Sequence, residues 1–278
     1  MKKVSLGIGL LFLLLTTHVH AEEKQANVAE QNEKSPEESM FWQLGFSTGY
    51  HFTHGNYGTH ENTDIHYVPL TTKLDIEAFT FEVTVPYIAI TGTGNVTAGD
   101  GAVIINNSAV ASYLSKTDHG LGDVLAAVTY TQVPPRDFLP YISATFKTKF
   151  PTADEQKGLG TGEFDYTVQG DISQTFWKIT PFATAGYRFI GDTPTYNYNN
   201  TFFASAGATV QVFKPLSLGA AIDYRQSSTN TTDDSVEVSP FFSIKAGRHV
   251  SFNGYTSFGL TDGAADFGAG LGVGVKMP

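Results

Sequence analysis

Cysteine is absent from all 278 residues, so neither a disulfide frame nor a thiolate metal site is available. An excess of positive charge is absent as well. The formal net charge of −10 becomes −12 once Lys2 and Lys3 leave with the leader described below, which argues against nucleic acid as a partner. From Phe41 onward no apolar stripe recurs at helical spacing, and leucine is scarce. Aromatic residues, glycine, threonine and asparagine take its place, an all-β composition.

The N-terminus has its own character. Two lysines precede the apolar run "VSLGIGLLFLLL", and small residues close the segment at "VHA". A charged start, a short apolar core and small residues before a cut site describe a cleavable export leader over residues 1–21. A membrane-spanning helix is the competing reading, but the run falls short of the ~20 residues that crossing requires. Residues 22–40, "EEKQANVAEQNEKSPEESM", are charged and nearly free of large apolar side chains, so they are expected to form a disordered acidic tail.

In the remainder, 41–278, apolar and polar residues alternate with a period of two. Trp177, Ile179, Ala183, Ala185, Tyr187 and Phe189 interleave with Lys178, Thr180, Thr184 and Arg188. Comparable alternation places Ile142, Ala144 and Phe146 against Lys147 and Lys149, and Leu218, Ala220 and Ile222 against Asp223 and Arg225. A soluble sandwich alternates in the same way, so length and connection must decide. The runs reach about ten residues, more than the ~5–6 of globular strands and close to the 9–11 of a tilted transmembrane strand. About twelve such runs begin near Phe41, Asp64, Phe79, Leu121, Pro140, Phe164, Trp177, Thr201, Leu216, Ser235, Val250 and Asp266, the even number that bacterial barrels use. Short turns such as "EA", "KPL" and "GRH" alternate with long polar loops such as "PTADEQKGLGTG" and "SSTNTTDDS". The pattern predicts a transmembrane antiparallel β-barrel in the outer membrane of a Gram-negative bacterium, with short periplasmic turns and long extracellular loops. Trp42 and Trp177 then share the periplasmic rim as an aromatic girdle.

Three stretches, "GLGDV" (120–124), "FKTKFPTADEQKGLGTGEFDY" (146–166) and "GYRFIGD" (186–192), resemble the family of outer-membrane transporters named after the meta-pathway of phenol degradation. The resemblance implies a barrel that passes small aromatic or apolar compounds. It also implies outer-membrane lipid and the outer-membrane assembly machinery as partners. The chain ends on "KMP" where many outer-membrane strands end on an aromatic residue, a departure in the assembly signal.

Candidate functional residues fall into three groups. The first is a charged lumen wall of Asp123, Lys147, Lys149, Asp165, Asp171, Lys178, Arg188, Asp223, Arg225, Glu237 and Lys245, whose mixed signs predict internal salt bridges. The second is the C-terminal stretch "GAGLGVGVK", where Gly268, Gly270, Gly272 and Gly274 leave one strand face without side chains. If the last strand pairs with the first, this face lies beside Gly45, Ser47 and Gly49 as a lumen seam. A passage, sheet curvature, or room for a plug such as the 22–40 tail each account for it. The third is the set His51, His54, His60 and His66, residue types that bind transition metals but here lack a ligand spacing, so no metal is assigned. No Ser, His and acidic set shares a predicted height on the wall, which predicts a non-enzyme without a cofactor. The expected function is passive uptake or efflux of a small molecule. The alternative is a closed structural barrel acting through its extracellular loops.

Overall fold

The computed structural model describes residues 4–5, 42–57, 62–92, 96–99, 102–105, 116–134, 136, 138–193, 198–230 and 232–277. The expected leader (1–21, apart from Val4 and Ser5) and the expected tail (22–40) lie outside the described residues. So does His60.

Thirteen strand segments pair into one closed antiparallel sheet, and two of them are halves of a single interrupted strand, so the wall has twelve strands. In order they are β1 (Trp42–Gly55), β2 (Thr63–Ile76), β3 (Phe79–Gly92) and β4 (Lys116–Leu121 with Val124–Gln132). Then follow β5 (Tyr141–Phe150), β6 (Asp165–Ser173), β7 (Ile179–Phe189) and β8 (Thr201–Phe213). The wall continues with β9 (Leu216–Arg225), β10 (Ser235–Ala246), β11 (Val250–Gly259) and β12 (Phe267–Lys276). Closure comes from β12 against β1, with Gly272 opposite Gly49, Gly274 opposite Ser47 and Lys276 opposite Gly45. A closed sheet leaves no unpaired strand edge, the condition for backbone to cross hydrocarbon. Among the described residues, no helix is long and apolar enough to cross a membrane, which says nothing of strands.

The outer face carries the apolar half of each alternation. Phe81, Val83, Ile142, Phe146, Val168, Ile172, Ile179, Leu218, Ile222 and Leu271 all stand exposed on it. The inner face carries the polar half, and much of it is buried. Hydroxyl pairs link neighbouring strands there: Thr71 with Thr84 at 2.8 Å, Thr129 with Thr145 at 2.9 Å and Thr131 with Ser143 at 3.0 Å. This is a membrane barrel of the Gram-negative outer-membrane type, apolar outside and polar within. Turns such as Glu77–Ala78 and Lys214–Pro215 join strands at the periplasmic end, and connections such as 151–164 and 226–234 join them at the other.

The interruption of β4 is a bulge. Leu121 pairs with Tyr87 and Leu125 with Thr84, so the register slips by one across Gly122 and Asp123. Gly122 donates its N–H to the Pro86 carbonyl at 2.9 Å, and Asp123 turns inward. The strand therefore begins at Lys116, five residues before the start near Leu121 that the alternation indicates. The bulge breaks the alternation upstream of it.

Candidate functional site

The inward charges of β4 to β7 form one cluster. Lys149 Nζ lies 3.1 Å from Asp165 Oδ2 and 3.4 Å from Asp123 Oδ2, and it donates to Thr161 Oγ1 at 2.6 Å. Arg188 binds Asp165 through Nη2 and, at 3.2 Å, through Nε. The remaining Asp165 oxygen accepts the Gly191 N–H at 3.1 Å. Lys149 and Asp165 are both 1% exposed, and burial this deep is tolerable because each charge has several partners. Asp123 Oδ1 accepts the N–H groups of Thr152 and Ala153, both at 3.0 Å. The cluster thus ties the β5–β6 connection to the wall. "GLGD", "KTKFP", "FDY" and "YRFIG", far apart in the chain, meet here.

A second group lies on β9 and β10, where Asp223 and Glu237 face each other across the ladder and Arg225 is the next inward residue of its strand. Ser239 donates to Asp223 at 3.2 Å, and Ser235 donates to Glu237 at 3.3 Å. Asp171 accepts from Thr184 at 2.7 Å and Gln169 at 2.8 Å. Lys147 is buried on β5, and Lys245 is half-buried near the periplasmic end of β10. Lys178 is the exception and corrects the expected wall. It is exposed in the turn before β7, with Nζ 5.4 Å from the Trp177 ring centroid, because Trp177 takes φ of 60° and the strand starts only at Ile179.

The glycine seam divides into two halves. A Cβ on Gly270 would come within 2.3 Å of His51 Nδ1 and 2.4 Å of Tyr255, and one on Gly268 within 2.4 Å of Ser257 Oγ. On Gly49 it would stand 2.7 Å from the Leu271 carbonyl oxygen. Around these three the lumen is packed. Toward the periplasm the contacts relax: 3.4 Å at Gly272, 3.6 Å at Gly45 and 3.0 Å, to a Ser251 hydroxyl, at Gly274. These glycines floor a cavity of about 110 Å³ that runs from Gln43, Asp75 and Lys276 at the strand ends up to His51 and Tyr255. His51 and Tyr255 stack at 5.6 Å between ring centroids and close its upper end.

Beside the seam, where Lys73 pairs with Gly45 in register, stand charges absent from the predicted wall. Lys73 pairs with Asp75 at 3.5 Å and faces Glu82 across the ladder, and Thr80 donates to Asp75 at 2.5 Å. The alternation in "TTKLDI" already points Lys73 and Asp75 inward.

The extracellular half of the lumen holds an apolar cluster beside the charges around Lys149. Tyr57, Ile65, Ile88, Ile90, Leu159 and Ala265 form a buried cluster, joined by Tyr67 and Ala153. Leu159 belongs to the β5–β6 connection, which turns inward after a short 3-10 turn, Glu155–Lys157. Asp154 caps that turn and Gly158, at φ 70°, ends it. Gly160 must lack a side chain, since a Cβ would meet Asp123 Oδ2 at 2.6 Å. A single leucine inside "KGLGTG" was the only sequence signal of this cap.

The histidines do not converge. His51 faces the lumen, whereas His54 faces outward beside Asp64 at 2.6 Å and His66 accepts or donates to Tyr50 at 2.6 Å on the outer face. Alternation along β1 sets His51 on the opposite face from His54 and His66. Among the described residues no group of three potential ligands gathers. Trp42 and Trp177 lie exposed at the periplasmic rim with Phe79 and Tyr130, and a second aromatic band of Tyr166, Tyr187, Phe189, Phe202 and Phe258 circles the other end.

Among solved structures, the barrel is similar to the COG4313 outer membrane channel from Pseudomonas putida F1, at 11% identity and a TM-score of 0.69, over 88% of this chain and 100% of that one. It is also similar to the NanC porin, at 10% identity and a TM-score of 0.50, over 84% and 100%. The β domain of the Bordetella autotransporter BrkA matches at 8% identity and a TM-score of 0.50, over 85% and 99%. At these identities the likeness is one of fold. No curated protein matches the chain. The sequence profile of one family matches residues 52–277, nearly all of the barrel, and the chain belongs to that family, described as "Putative MetA-pathway of phenol degradation".

Proposed function

We propose that the barrel is a passive, non-catalytic conduit for a small aromatic or apolar molecule across the outer membrane, with the glycine seam and the charged wall as its lining. The observation that carries this reading is the cavity of about 110 Å³ floored by Gly45, Gly272 and Gly274. A twelve-strand barrel is wider than the eight-strand kind that its own side chains fill, and deleting side chains along one seam keeps that width as space. The similar barrel from Pseudomonas putida F1 is described as a channel, which agrees. Travel beyond His51 and Tyr255 requires the packed cap around Leu159 to yield.

Solute influx into proteoliposomes tests the proposal with Gly272→Leu. The leucine occupies the cavity while Leu271 and Val273 keep their places on the lipid face. Influx should fall in a variant that still shows the folded barrel's heat-modifiable gel mobility. Unchanged influx through that variant would remove the seam as the route. The packed extracellular half favours a second reading, a closed barrel acting through its loops, and that barrel gives no influx in the parent protein either. In the leader-cleaved form, deletion of the expected 22–40 tail should leave influx unchanged if the seam is a passage, and raise it if the seam houses a plug.

A further inference from the structure

The lipid-facing wall is not uniform. On β5 to β12, none of the outward positions of the alternation carries Asp, Glu, Lys, Arg or His. On β1 to β4 four do: His54, Asp64, His66 and His119. All four are level with one another near the extracellular end. The register joins His54 to Asp64, Asp64 to Thr91 and Thr91 to Thr117. One row nearer the membrane centre it joins Phe52 to His66, His66 to Ala89 and Ala89 to His119. Ionisable groups on a lipid face are costly at the midplane and tolerated near the interface, so these two rows stand at the level of the lipid headgroups.

The acids of this sector are already taken by bases. Asp64 pairs with His54 at 2.6 Å, and at the rim above them Asp118 pairs with Lys116 at 2.8 Å. In the second row Tyr50 holds His66 Nδ1 at 2.6 Å and Tyr87 holds His119 Nδ1 at 2.7 Å. Each ring is thereby fixed through one nitrogen, and neither Nε2 has a partner among the described residues. With the tyrosine hydroxyl donating to Nδ1, the proton of the neutral ring sits on Nε2 and is free to be donated. Only the methyl group of Ala89 stands between the two histidines. Two strand spacings of ~4.8 Å set them about 10 Å apart, too wide for one metal ion at ~2 Å per bond. Below them Val68, Tyr87 and Leu121 are exposed as apolar surface.

We propose that this sector is a docking surface for the phosphorylated glycolipid of the outer leaflet. Its headgroup lies across Ala89 and accepts hydrogen bonds from His66 Nε2 and His119 Nε2, while its acyl chains run down over Val68, Tyr87 and Leu121. The anionic headgroup complements the only two donors that the sector leaves unpaired by an acid or a hydroxyl. The surface is on the outside of the wall, so it stands apart from any route through the lumen.

The test is native mass spectrometry of the full barrel after incubation with bisphosphorylated lipid A, which counts the lipids that the protein retains. The parent should keep one lipid A and bind the dephosphorylated form roughly tenfold more weakly. His66→Phe and His119→Phe keep an aromatic ring and remove the donor, and each should weaken binding roughly tenfold, the worth of one hydrogen bond to a charged acceptor. Tyr224→Phe, on the outer face of β9, should bind as the parent does, and heat-modifiable gel mobility confirms that every variant compared is folded. Excess inorganic phosphate should not displace the lipid. Equal binding of the two lipid forms, or parental binding in the double histidine variant, overturns the proposal. Displacement by inorganic phosphate assigns the histidines to free anion and overturns it too, as does a protein dimer in place of the lipid adduct that the double variant abolishes.

Discussion

Asp123→Ala should release the β5–β6 connection from the lumen and leave the barrel closed. Asp123 Oδ1 accepts two backbone N–H groups, from Thr152 and Ala153, each at 3.0 Å. A hydrogen bond to a charged acceptor is worth about 1.5–3 kcal/mol, so the pair holds the loop with about 3–6 kcal/mol. Burial of Leu159 supplies about 1.5–3 kcal/mol, and the Lys149–Thr161 hydrogen bond holds the far end of the connection; neither replaces the contacts at Thr152 and Ala153. The cluster survives the change, because Lys149 remains 3.1 Å from Asp165. Asp123→Asn is the milder control: it keeps an oxygen where Oδ1 stands and gives up the charge and the acceptor that faces Lys149. The loop offers its own reporter in Lys157, whose side chain is 50% exposed beside Gly158. Trypsin added to intact cells should cut at Lys157 faster in Asp123→Ala than in the parent or in Asp123→Asn, and influx should rise in parallel. Equal protection of Lys157 in all three proteins would refute the anchoring role of Asp123.

Lipid and lumen faces should respond differently to charge. Ala183→Arg on the outer face of β7 should cost about 2–4 kcal/mol in bilayer folding yield, whereas Ser47→Arg, which borders the cavity, should fold and alter the charge selectivity of conductance. Similar folding yields for the two would contradict the assigned faces. An epitope at Asn230, exposed in the β9–β10 connection, should bind antibody on intact cells, and one at Lys214 in the opposite turn should not. Ser228 is a poor site for such a tag, since it is 2% exposed. Gly270→Ala should destabilise the barrel, because its Cβ falls 2.3 Å from His51 Nδ1, and Gly272→Ala should not, a contrast that unfolding in urea can measure.

The strands were legible because a lipid-facing wall has one requirement at every second residue, and sequences such as Trp177 to Phe189 state it without interruption. β4 shows where that reading stops. Gly122 and Asp123 both turn inward, the parity of "KTDHGL" is reversed, and a strand reads as a loop. Inward charges were legible for the same reason as the strands, since a lysine or aspartate inside an apolar alternation can only face the lumen. Lys178 misled because parity says nothing of where a strand begins. Side-chain contacts between strands that are not neighbours were not legible. His51 meets Tyr255 across 204 positions, and Leu159 enters the lumen from a loop whose composition is that of a surface turn.

The two halves of the glycine seam differ in what their neighbours require. Gly268, Gly270 and Gly49 are glycine because something stands where a side chain would go: Ser257, His51 with Tyr255, and the Leu271 carbonyl. Packing explains them completely. Gly272 and Gly45 meet nothing nearer than 3.4 Å, and at Gly274 only a hydroxyl stands close, so alanine would fit with little or no displacement. A strand glycine that no neighbour requires is a cost of roughly 0.5–1 kcal/mol against alanine. No bulge accompanies them, since the pairing of β12 with β1 runs without a register shift from Phe267 to Lys276. What these three positions share is the cavity beside Asn253, and keeping it empty of the chain's own side chains is the property that a bound or passing molecule needs.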